Sequence, residues 1–279
     1  MEDKFPARLH VIIAREAETA VVIRRGPSKL VCSIGWNLSS DTFEIGQWLK
    51  GRIYEKRCDL SPDGQYFAYF AMNGKWTSPS RGSWTAISRT PYLKADAFFP
   101  KGDCWNGGGL FTSNSKFWLN DGPHSKHILQ DKHFRIRFDT KFSPKEWYGN
   151  ESPGIYYLRL MRDGWEKISD SSHGEWHDIT IFEKKLSQKS VLRKICHSQL
   201  NSTKGKGSYW DEHQIELTNS GEVFSFPDWE WADLHSKDVL FAEKGVLYRW
   251  RCSNDISSVR NNAVKNFNSM KFEPIKAPY

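Results

Sequence analysis

Two pairs of histidines are spaced closely enough along the chain to share one metal ion. His124 and His127 are separated by two residues, and His173 and His177 by three. Imidazoles at such spacings bind one metal ion when they lie on a helix. The first pair lies in a loop with glycine and proline, and the second lies at a strand entrance in SSHGEWHDITIF. Because neither context is helical, the sequence predicts no metal site and no cofactor.

A run of glycines, Gly107-Gly108-Gly109, could bring backbone N–H groups close to a phosphate. A Walker loop ends in Gly-Lys-Ser/Thr, and the dinucleotide fingerprint continues into a helix. The residues that follow, Leu-Phe-Thr, fit neither pattern, so we predict a bulge or a tight turn. The nearby Cys104 has no histidine in a recognisable partner motif, and we expect a partly buried structural thiol rather than a nucleophile.

Basic residues are grouped in two short segments, 24–29 and 75–84, and the second segment also contains two tryptophans. A Gly-Pro loop flanked by cations can hold phosphates, and the exposed face of a tryptophan can stack on a base. A charged hairpin tip with tryptophans buried in the core is the alternative interpretation. The candidate residues for binding a partner or a nucleic acid are Arg24, Arg25, Lys29, Lys75, Trp76, Arg81 and Trp84.

β-Strands must position all of these residues, since helical periodicity is almost absent from the chain. Short segments with a two-residue period are rich in β-branched and aromatic side chains and end at Gly, Pro, Asn, Asp or Ser. Turns such as Pro62-Asp63-Gly64 and Asn73-Gly74 supply residues that tolerate a positive φ. The predicted strands are 8–15, 19–25, 30–36, 42–49, 66–72, 134–139, 155–161, 178–184, 191–197, 239–243 and 246–251. This pattern indicates antiparallel hairpins in a sandwich, a barrel or a propeller.

An internal similarity favours the propeller. The chain reads WADLHSKDVLFAEKGVLYRWR from Trp231 and WNLSSDTFEIGQWLKGRIYEKR from Trp36. Each segment has a tryptophan, a polar turn with Asp, an apolar strand, Lys-Gly and a second strand with tyrosine and basic residues. We predict blades around these two tryptophans and, from weaker similarities, around Asp59 and Ile155.

The predicted fold class is therefore all-β, with a single β-propeller domain over residues 1–279; a β-sandwich is the alternative. At about 40–50 residues per blade, a chain of 279 residues makes five or six blades of antiparallel strands. Residues 254–279 are polar and contain two late prolines, which predicts a short helix or loop followed by a closing tail.

The segment 59–71, DLSPDGQYFAYFA, resembles the Ser-Pro-Asp-Gly repeat of WD40-like propellers of the TolB type. In that family the turn precedes the strand that packs into the blade. The segment occurs once here, whereas the family repeats it in several blades. The resemblance implies the fold and no activity, and the chain taken whole resembles bacterial hypothetical proteins without an assigned activity.

Carboxylates at the entrances of different blades could serve a hydrolase. Propeller glycosidases use such pairs, and the candidates are Asp59, Asp103, Asp178 and Asp228. A compact acid–histidine group, Asp211-Glu212-His213, could also perform acid–base chemistry. We predict instead that it forms a solvated turn into a strand at 214–217.

Composition and charge exclude several classes of protein. Aromatic residues make up 14% of the chain, which is typical of a globular core, and the net charge of +7 comes from interspersed signs. No run approaches the length of a membrane helix. The scattered cysteines form no CxxC pair and predict a reduced, cytoplasmic protein without membrane contact. They are Cys32, Cys58, Cys104, Cys196 and Cys252.

These observations together predict a non-enzymatic, cytoplasmic interaction module or scaffold. It would bind a protein partner through its loops and channel mouth, because aromatic residues borne on turns anchor interfaces. Two alternatives stay open: a nucleic-acid-binding propeller that uses the basic and aromatic loops, and a hydrolase with paired carboxylates. The fold by itself does not choose among them.

Overall fold

The computed structural model describes residues 5–26, 29–121, 127–131, 134–174, 176–202, 206–251 and 256–279. The described chain is all-β, with five sheets in the arrangement of propeller blades, which confirms the predicted fold class at the lower blade number. The described strand pairs are antiparallel, apart from one short parallel pair in the three-stranded sheet. The segment from Trp231 lies in the last sheet. The similar segment from Trp36 is divided, since residues 42–50 belong to the first sheet and residues 52–53 to the six-stranded sheet.

Two compact units are distinguished along the chain. Unit 1 consists mainly of Val11–Arg159 and Lys271–Tyr279, and unit 2 of Pro6–His10 and Leu160–Met270. The strands up to the helix are β1 (Arg8–Ile13), β2 (Thr19–Arg25), β3 (Leu30–Asn37), β4 (Thr42–Lys50), β5 (Arg52–Ile53), β6 (Asp59–Leu60), β7 (Tyr66–Met72), β8 (Ser83–Arg89), β9 (Ala95–Pro100), β10 (Gly109–Ser113), β11 (Lys116–Leu119), β12 (Leu129–Gln130) and β13 (Arg137–Phe138).

The remaining elements begin with the α-helix of the described chain. They are α1 (Ser152–Arg162), β14 (Glu166–Ser172), β15 (His177–Lys185), β16 (Ser190–Gln199), β17 (Tyr209–Leu217), β18 (Glu222–Phe226), β19 (Trp229–His235), β20 (Asp238–Glu243), β21 (Val246–Arg251) and β22 (Ala263–Asn266). The five sheets have the strand orders β1-β2-β3-β4, β12-β9-β8-β7-β5 with β6 beside β7, β10-β11-β13, β14 to β18, and β19 to β22.

Strand β7 packs on both of its faces in unit 1. Phe67 and Tyr69 belong to the core that contains residues of β2 and β3. Ala68, on the opposite face, joins a second core with Phe111 of β10 and Phe117 of β11. Successive side chains of a strand point to opposite faces, so one strand contributes to both cores. The sheet that contains β7 therefore packs against the other two sheets of unit 1, one on each face.

The Ser-Pro-Asp-Gly segment forms the turn between β6 and β7. The Ser61 hydroxyl donates to Asp63 Oδ1 at 2.6 Å and accepts from the Tyr66 N–H at 2.9 Å. The Gly64 N–H donates to the Ser61 carbonyl at 2.8 Å, and Gly64 has a φ of +73°. Side-chain bonds of this kind replace the backbone partners that a turn lacks. The turn therefore precedes a strand that packs into its blade, as the sequence predicts.

A buried lysine connects the two sheets of unit 2. The Lys194 ammonium of β16 lies 3.1 Å from His213 Nε2 and 3.0 Å from the Ala232 carbonyl. His213 Nδ1 in turn lies 3.0 Å from the Trp229 carbonyl. The prediction of a solvated turn at Asp211-Glu212-His213 is wrong, because these residues lie in β17 and His213 is fully buried. The buried polar network, which the sequence does not show, fixes them there.

The strand predicted at 155–161 is also wrong, since these residues lie in helix α1. Ile155, Tyr156, Arg159 and Leu160 are buried, at a spacing that matches one face of a helix. Pro153 stands in the first turn, where a helix tolerates it. In so short a segment the same apolar residues fit a two-residue period equally well.

The C-terminal segment contains a three-residue 3-10 helix, Ile256–Ser258, and then β22, which pairs with β21. Beyond β22 the chain returns to unit 1. There the Gln47 side chain donates to the Ile275 carbonyl at 2.9 Å, and the Tyr279 hydroxyl donates to the Lys94 carbonyl at 2.7 Å. Among the described residues, no helix is long and apolar enough to cross a membrane.

Candidate functional site

Two of the predicted site residues lie in the interior of unit 1. Arg24 is only 2% exposed, and its guanidinium lies 5.6 Å from the centre of the Trp48 ring. Burial lowers the pKa of Arg24 from its usual value. Trp84 stacks on Phe98 at 5.8 Å within the core. Both side chains therefore support the fold, whichever partner the surface binds.

Two further candidates lie at or beside the β2–β3 connection. Arg25 is half-buried and forms an ion pair with Glu55 at 3.0 Å. Lys29 is exposed and has a φ of +62°, and its carbonyl accepts a hydrogen bond from the Gly51 N–H at 2.8 Å. Lys29 is thus the more accessible of the two to a partner.

The remaining candidates lie in the loop 73–82 between β7 and β8. Lys75 and Arg81 are exposed, and Trp76 is 52% exposed. The loop is closed by the N–H groups of Asn73 and Gly74, which donate to the Gly82 carbonyl at 3.0 and 3.1 Å. A Cβ atom on Gly82 would come within 2.2 Å of the Trp76 ring, so this ring packs directly on the glycine. The exposed indole is therefore held in place.

The loop 101–106 is attached to the loop 73–82. The Ser83 hydroxyl donates to the Asp103 carbonyl at 2.6 Å and accepts from the Gly102 N–H at 3.1 Å. A Cβ atom on Gly102 would lie 3.1 Å from the Arg81 guanidinium, so the two loops are in contact. Trp105, in the second loop, is 56% exposed. The structure thus places a second exposed indole beside the predicted segment.

A third loop, 143–151, joins this group through the Asn106 N–H, which donates to the Asn150 carbonyl. It carries Trp147, which is 76% exposed. We call the loops 73–82, 101–106 and 143–151 the tryptophan loops. Trp105 and Trp147 are not among the residues predicted from the sequence, because the exposure of a tryptophan is not readable from its neighbours in the chain.

Arg57, a buried residue of unit 1, holds two of the tryptophan loops together. Its Nη1 donates to the carbonyls of Cys104 at 2.7 Å and Asn106 at 2.6 Å, and its Nη2 lies 3.8 Å from Glu151. The guanidinium also packs over the Phe70 ring at 5.0 Å. A planar group with several donors suits such a junction. Its sequence context, YEKRCDL, reads as a charged surface turn and gives no signal of this role.

The glycine run is a place of close backbone approach rather than a phosphate loop. Gly107 and Gly108 have φ values of +79° and +76°. A Cβ atom would lie 2.4 Å from Phe70 at the first position and 2.1 Å from the Arg57 carbonyl at the second. Only glycine fits a position that combines a positive φ with such contact. The glycines therefore allow the backbone that follows the loop 101–106 to pack directly against Arg57.

The carboxylates proposed for a hydrolase are divided between the two units. Asp59 is fully buried and accepts a hydrogen bond from the Phe111 N–H at 2.7 Å. Asp103 pairs with Lys101 at 3.6 Å, and Asp228 pairs with Lys244 at 2.9 Å. A pocket of about 430 Å³ lies in unit 2, lined by Asp238, Arg249, Trp250, Arg251, Ser258, Asn261 and Asn262, and contains none of the four candidates.

The histidine pairs differ in what the structure places around them. His124 lies outside the described residues, and His127 is exposed with its ring 6.1 Å from Phe99. His173 and His177 lie in unit 2 with their ring centres 5.8 Å apart, and His197 of β16 approaches His177. Burial lowers the pKa of His197 from its usual value. Within the described ranges, no group of three or more His, Cys, Asp and Glu side chains is arranged to hold a metal ion.

The fold defines the protein as a β-propeller. No family profile and no curated protein matches the chain. The solved structures similar to it include prolyl oligopeptidase B from Galerina marginata, with 11% identity, a TM-score of 0.28, and coverage of 94% of this chain and 34% of that chain. Another, from a study of two prolyl endopeptidases, has 8% identity, a TM-score of 0.17, and coverage of 87% and 47%. The chain spans less than half the length of either protein. These TM-scores are too low to indicate a shared function.

Proposed function

We propose that the protein is a non-enzymatic interaction module that binds a protein partner through the tryptophan loops. The observation that carries this proposal is the exposure of Trp76, Trp105 and Trp147 on loops that are joined by hydrogen bonds within unit 1. Large apolar side chains that are exposed together mark interaction sites, and tryptophan is enriched among the residues that dominate binding energy. Loops held in place also lose little conformational entropy on binding.

The charges of the tryptophan loops favour a protein over a nucleic acid. The loop 73–82 carries Lys75 and Arg81 and contains no acid. The other two loops contribute three acids and two lysines, which are Asp103, Glu146, Glu151, Lys101 and Lys145. A surface of mixed sign suits the polar rim of a protein interface. A nucleic-acid site would concentrate positive charge instead.

Replacing Trp105 and Trp147 together with alanine is expected to weaken partner binding by at least about tenfold, since residues of this kind contribute about 2 kcal/mol or more when they anchor an interface. The measurement is quantitative pull-down from native extract at low salt, followed by titration of the recovered partner against each purified variant. Trp176→Ala is the matched control, because Trp176 is also 67% exposed but lies in unit 2. Recovery of no stoichiometric partner, or equal affinity of both variants for it, would contradict the proposal.

The reactivity of the exposed cysteine in the tryptophan loops can be measured as a second test of the same surface. Cys104 is exposed, contrary to the expectation of a partly buried thiol, whereas Cys32 and Cys58 are buried. Burial raises the pKa of Cys32 to about 12 and also raises the pKa of Cys58. Less of a thiol is ionised at a given pH when its pKa rises, and only the thiolate reacts.

In iodoacetamide at pH 8, Cys104 is expected to be alkylated at least about tenfold faster than Cys32 or Cys58. Mass mapping of tryptic peptides at successive times gives the rates, and Cys104→Ser should remove this fast site. A bound partner should slow the alkylation of Cys104. Equal rates at Cys58 and Cys104 in the folded protein would show that the loop 101–106 is not arranged as described.

Binding of single-stranded nucleic acid is a second candidate function, supported by the loop 73–82 alone. Its exposed cations flank an exposed indole, and base stacking on such a ring needs no particular sequence. Anisotropy titrations with labelled oligothymidylate and oligouridylate at several salt concentrations test this function. A nucleic-acid site would show a log–log salt slope of about −0.7 per phosphate contacted, reduced in Lys75→Ala and Arg81→Ala. A flat slope would exclude this second candidate.

A further inference from the structure

Two histidines of unit 2, on neighbouring strands, direct ring nitrogens at each other. His177 begins β15 and His197 lies in β16, in register with Ile179. His177 Nε2 and His197 Nδ1 are 3.2 Å apart. In the metal-free form this contact is a hydrogen bond in which one ring donates and the other accepts.

A carboxylate lies on the far side of His197, beyond hydrogen-bond distance of the ring. Glu212 Oε2 lies 3.9 Å from His197 Nε2. Its negative charge favours an N–H on the nitrogen that faces it, which would leave the lone pair of His197 on Nδ1. The lone pair of His197 is then directed at His177.

The separation of the two nitrogens matches that of two ligands of one metal ion. Tetrahedral Zn²⁺ with Zn–N bonds of about 2.05 Å places two nitrogens about 3.3 Å apart. The metal would lie to one side of the line between the two nitrogens, and each ring would turn to direct its lone pair at the ion. The proton on His177 Nε2 would move to Nδ1, so the pair would release no net proton.

Neighbouring side chains hold the His197 ring in this orientation. The Trp210 ring stacks on it with centroids 3.6 Å apart and planes 6° from parallel. The Lys206 ammonium lies 3.6 Å from the centre of Trp210 and 3.5 Å from Glu212 Oε1. Metal sites depend on such outer contacts, because they spare the cost of orienting a ligand when the ion binds.

We propose that His177 and His197 form a binding site for a divalent transition-metal ion, Zn²⁺ or Cu²⁺. Imidazole nitrogens suit both ions, and the general order of affinities predicts tighter binding of Cu²⁺. Water would complete the coordination of the ion, and the ring centre of His173 lies 5.8 Å from that of His177. The site is independent of the tryptophan loops, which belong to unit 1.

Equilibrium dialysis of the untagged full chain against Cu²⁺ and against Zn²⁺ tests the site. The wild-type protein is expected to bind one equivalent that is lost, or weakened at least about tenfold, in His177→Gln. Electron paramagnetic resonance of the Cu²⁺ form should show superhyperfine splitting from two ligand nitrogens in the wild type and from fewer in the variant. His127→Gln is the matched control, since it removes an exposed imidazole from unit 1 and should leave both measurements unchanged.

His197→Gln should weaken binding to the same extent, and circular dichroism establishes whether this buried position tolerates the change. If that variant does not fold, His177→Gln decides the question, because His177 is only half-buried. The proposal is overturned if the wild type binds no stoichiometric metal, or if His177→Gln binds it as tightly as the wild type does.

Discussion

Replacement of Trp229 with alanine is expected to lower the free energy of unfolding by about 4 kcal/mol, within the range for truncation of a buried tryptophan. Trp229 of β19 is fully buried and stacks between two phenylalanines of unit 2. The ring centroids are 4.0 Å from Phe226 of β18 and 4.0 Å from Phe241 of β20. The substitution removes both stacking contacts and leaves a cavity between the two sheets of the unit. Urea denaturation followed by circular dichroism measures the effect.

Trp176→Ala is the matched control for this experiment. Trp176 lies in the same unit but is 67% exposed, so its loss should change the free energy of unfolding by less than about 0.5 kcal/mol. Equal losses in the two variants would contradict the stacked arrangement, because Trp229 is buried between two rings and Trp176 is exposed.

Replacement of Gly108 with alanine is expected to cost at least about 3 kcal/mol, because a strained backbone and a steric clash add together at this position. Its φ is +76°, and the new Cβ would lie 2.1 Å from the Arg57 carbonyl oxygen. A backbone atom cannot turn aside as the end of a long side chain can. Relief of the clash must shift Arg57, whose guanidinium holds the loop 101–106.

Gly74→Ala separates the two contributions. Gly74 has a similar φ of +71°, but a Cβ atom added there would have nothing within 4 Å of it. This variant should therefore lose only the cost of the left-handed backbone, about 1 kcal/mol. Denaturant unfolding of both variants gives the difference, which reports the close approach at Gly108. Gly108→Ala should also accelerate trypsin cleavage at the tryptophan loops. Equal free energies of unfolding for the two variants would exclude the close approach of Gly108 to the Arg57 carbonyl.

Several strands could be predicted to the residue from the alternation of the sequence. The predicted ranges 19–25, 66–72 and 246–251 are the observed bounds of β2, β7 and β21. Each of these strands is rich in β-branched or aromatic residues and has a turn with a glycine at one of its ends, so local chemistry decides its bounds. The first and last blades were predicted from the same kind of local pattern.

Strand β8 was missed for a physical reason. It reads SWTAISR, and all but its last residue are buried. A strand that is covered on both faces has no need for alternation between apolar and polar residues, and so carries no two-residue signal. Helix α1 was misread because its short apolar stretch fits both periods.

The sequence by itself determined the all-β class, the turns and the blade hairpins, since these depend on residues close together in the chain. Only the tertiary structure decided which of the candidate site residues are accessible. It buries Arg24 and Trp84 and leaves Trp105 and Trp147 exposed. It also brings Arg57 into hydrogen bonds with the loop 101–106. It likewise brings His177 within reach of His197, twenty residues further along the chain. Burial and contact are properties of the packed strands, and residues distant in sequence create them.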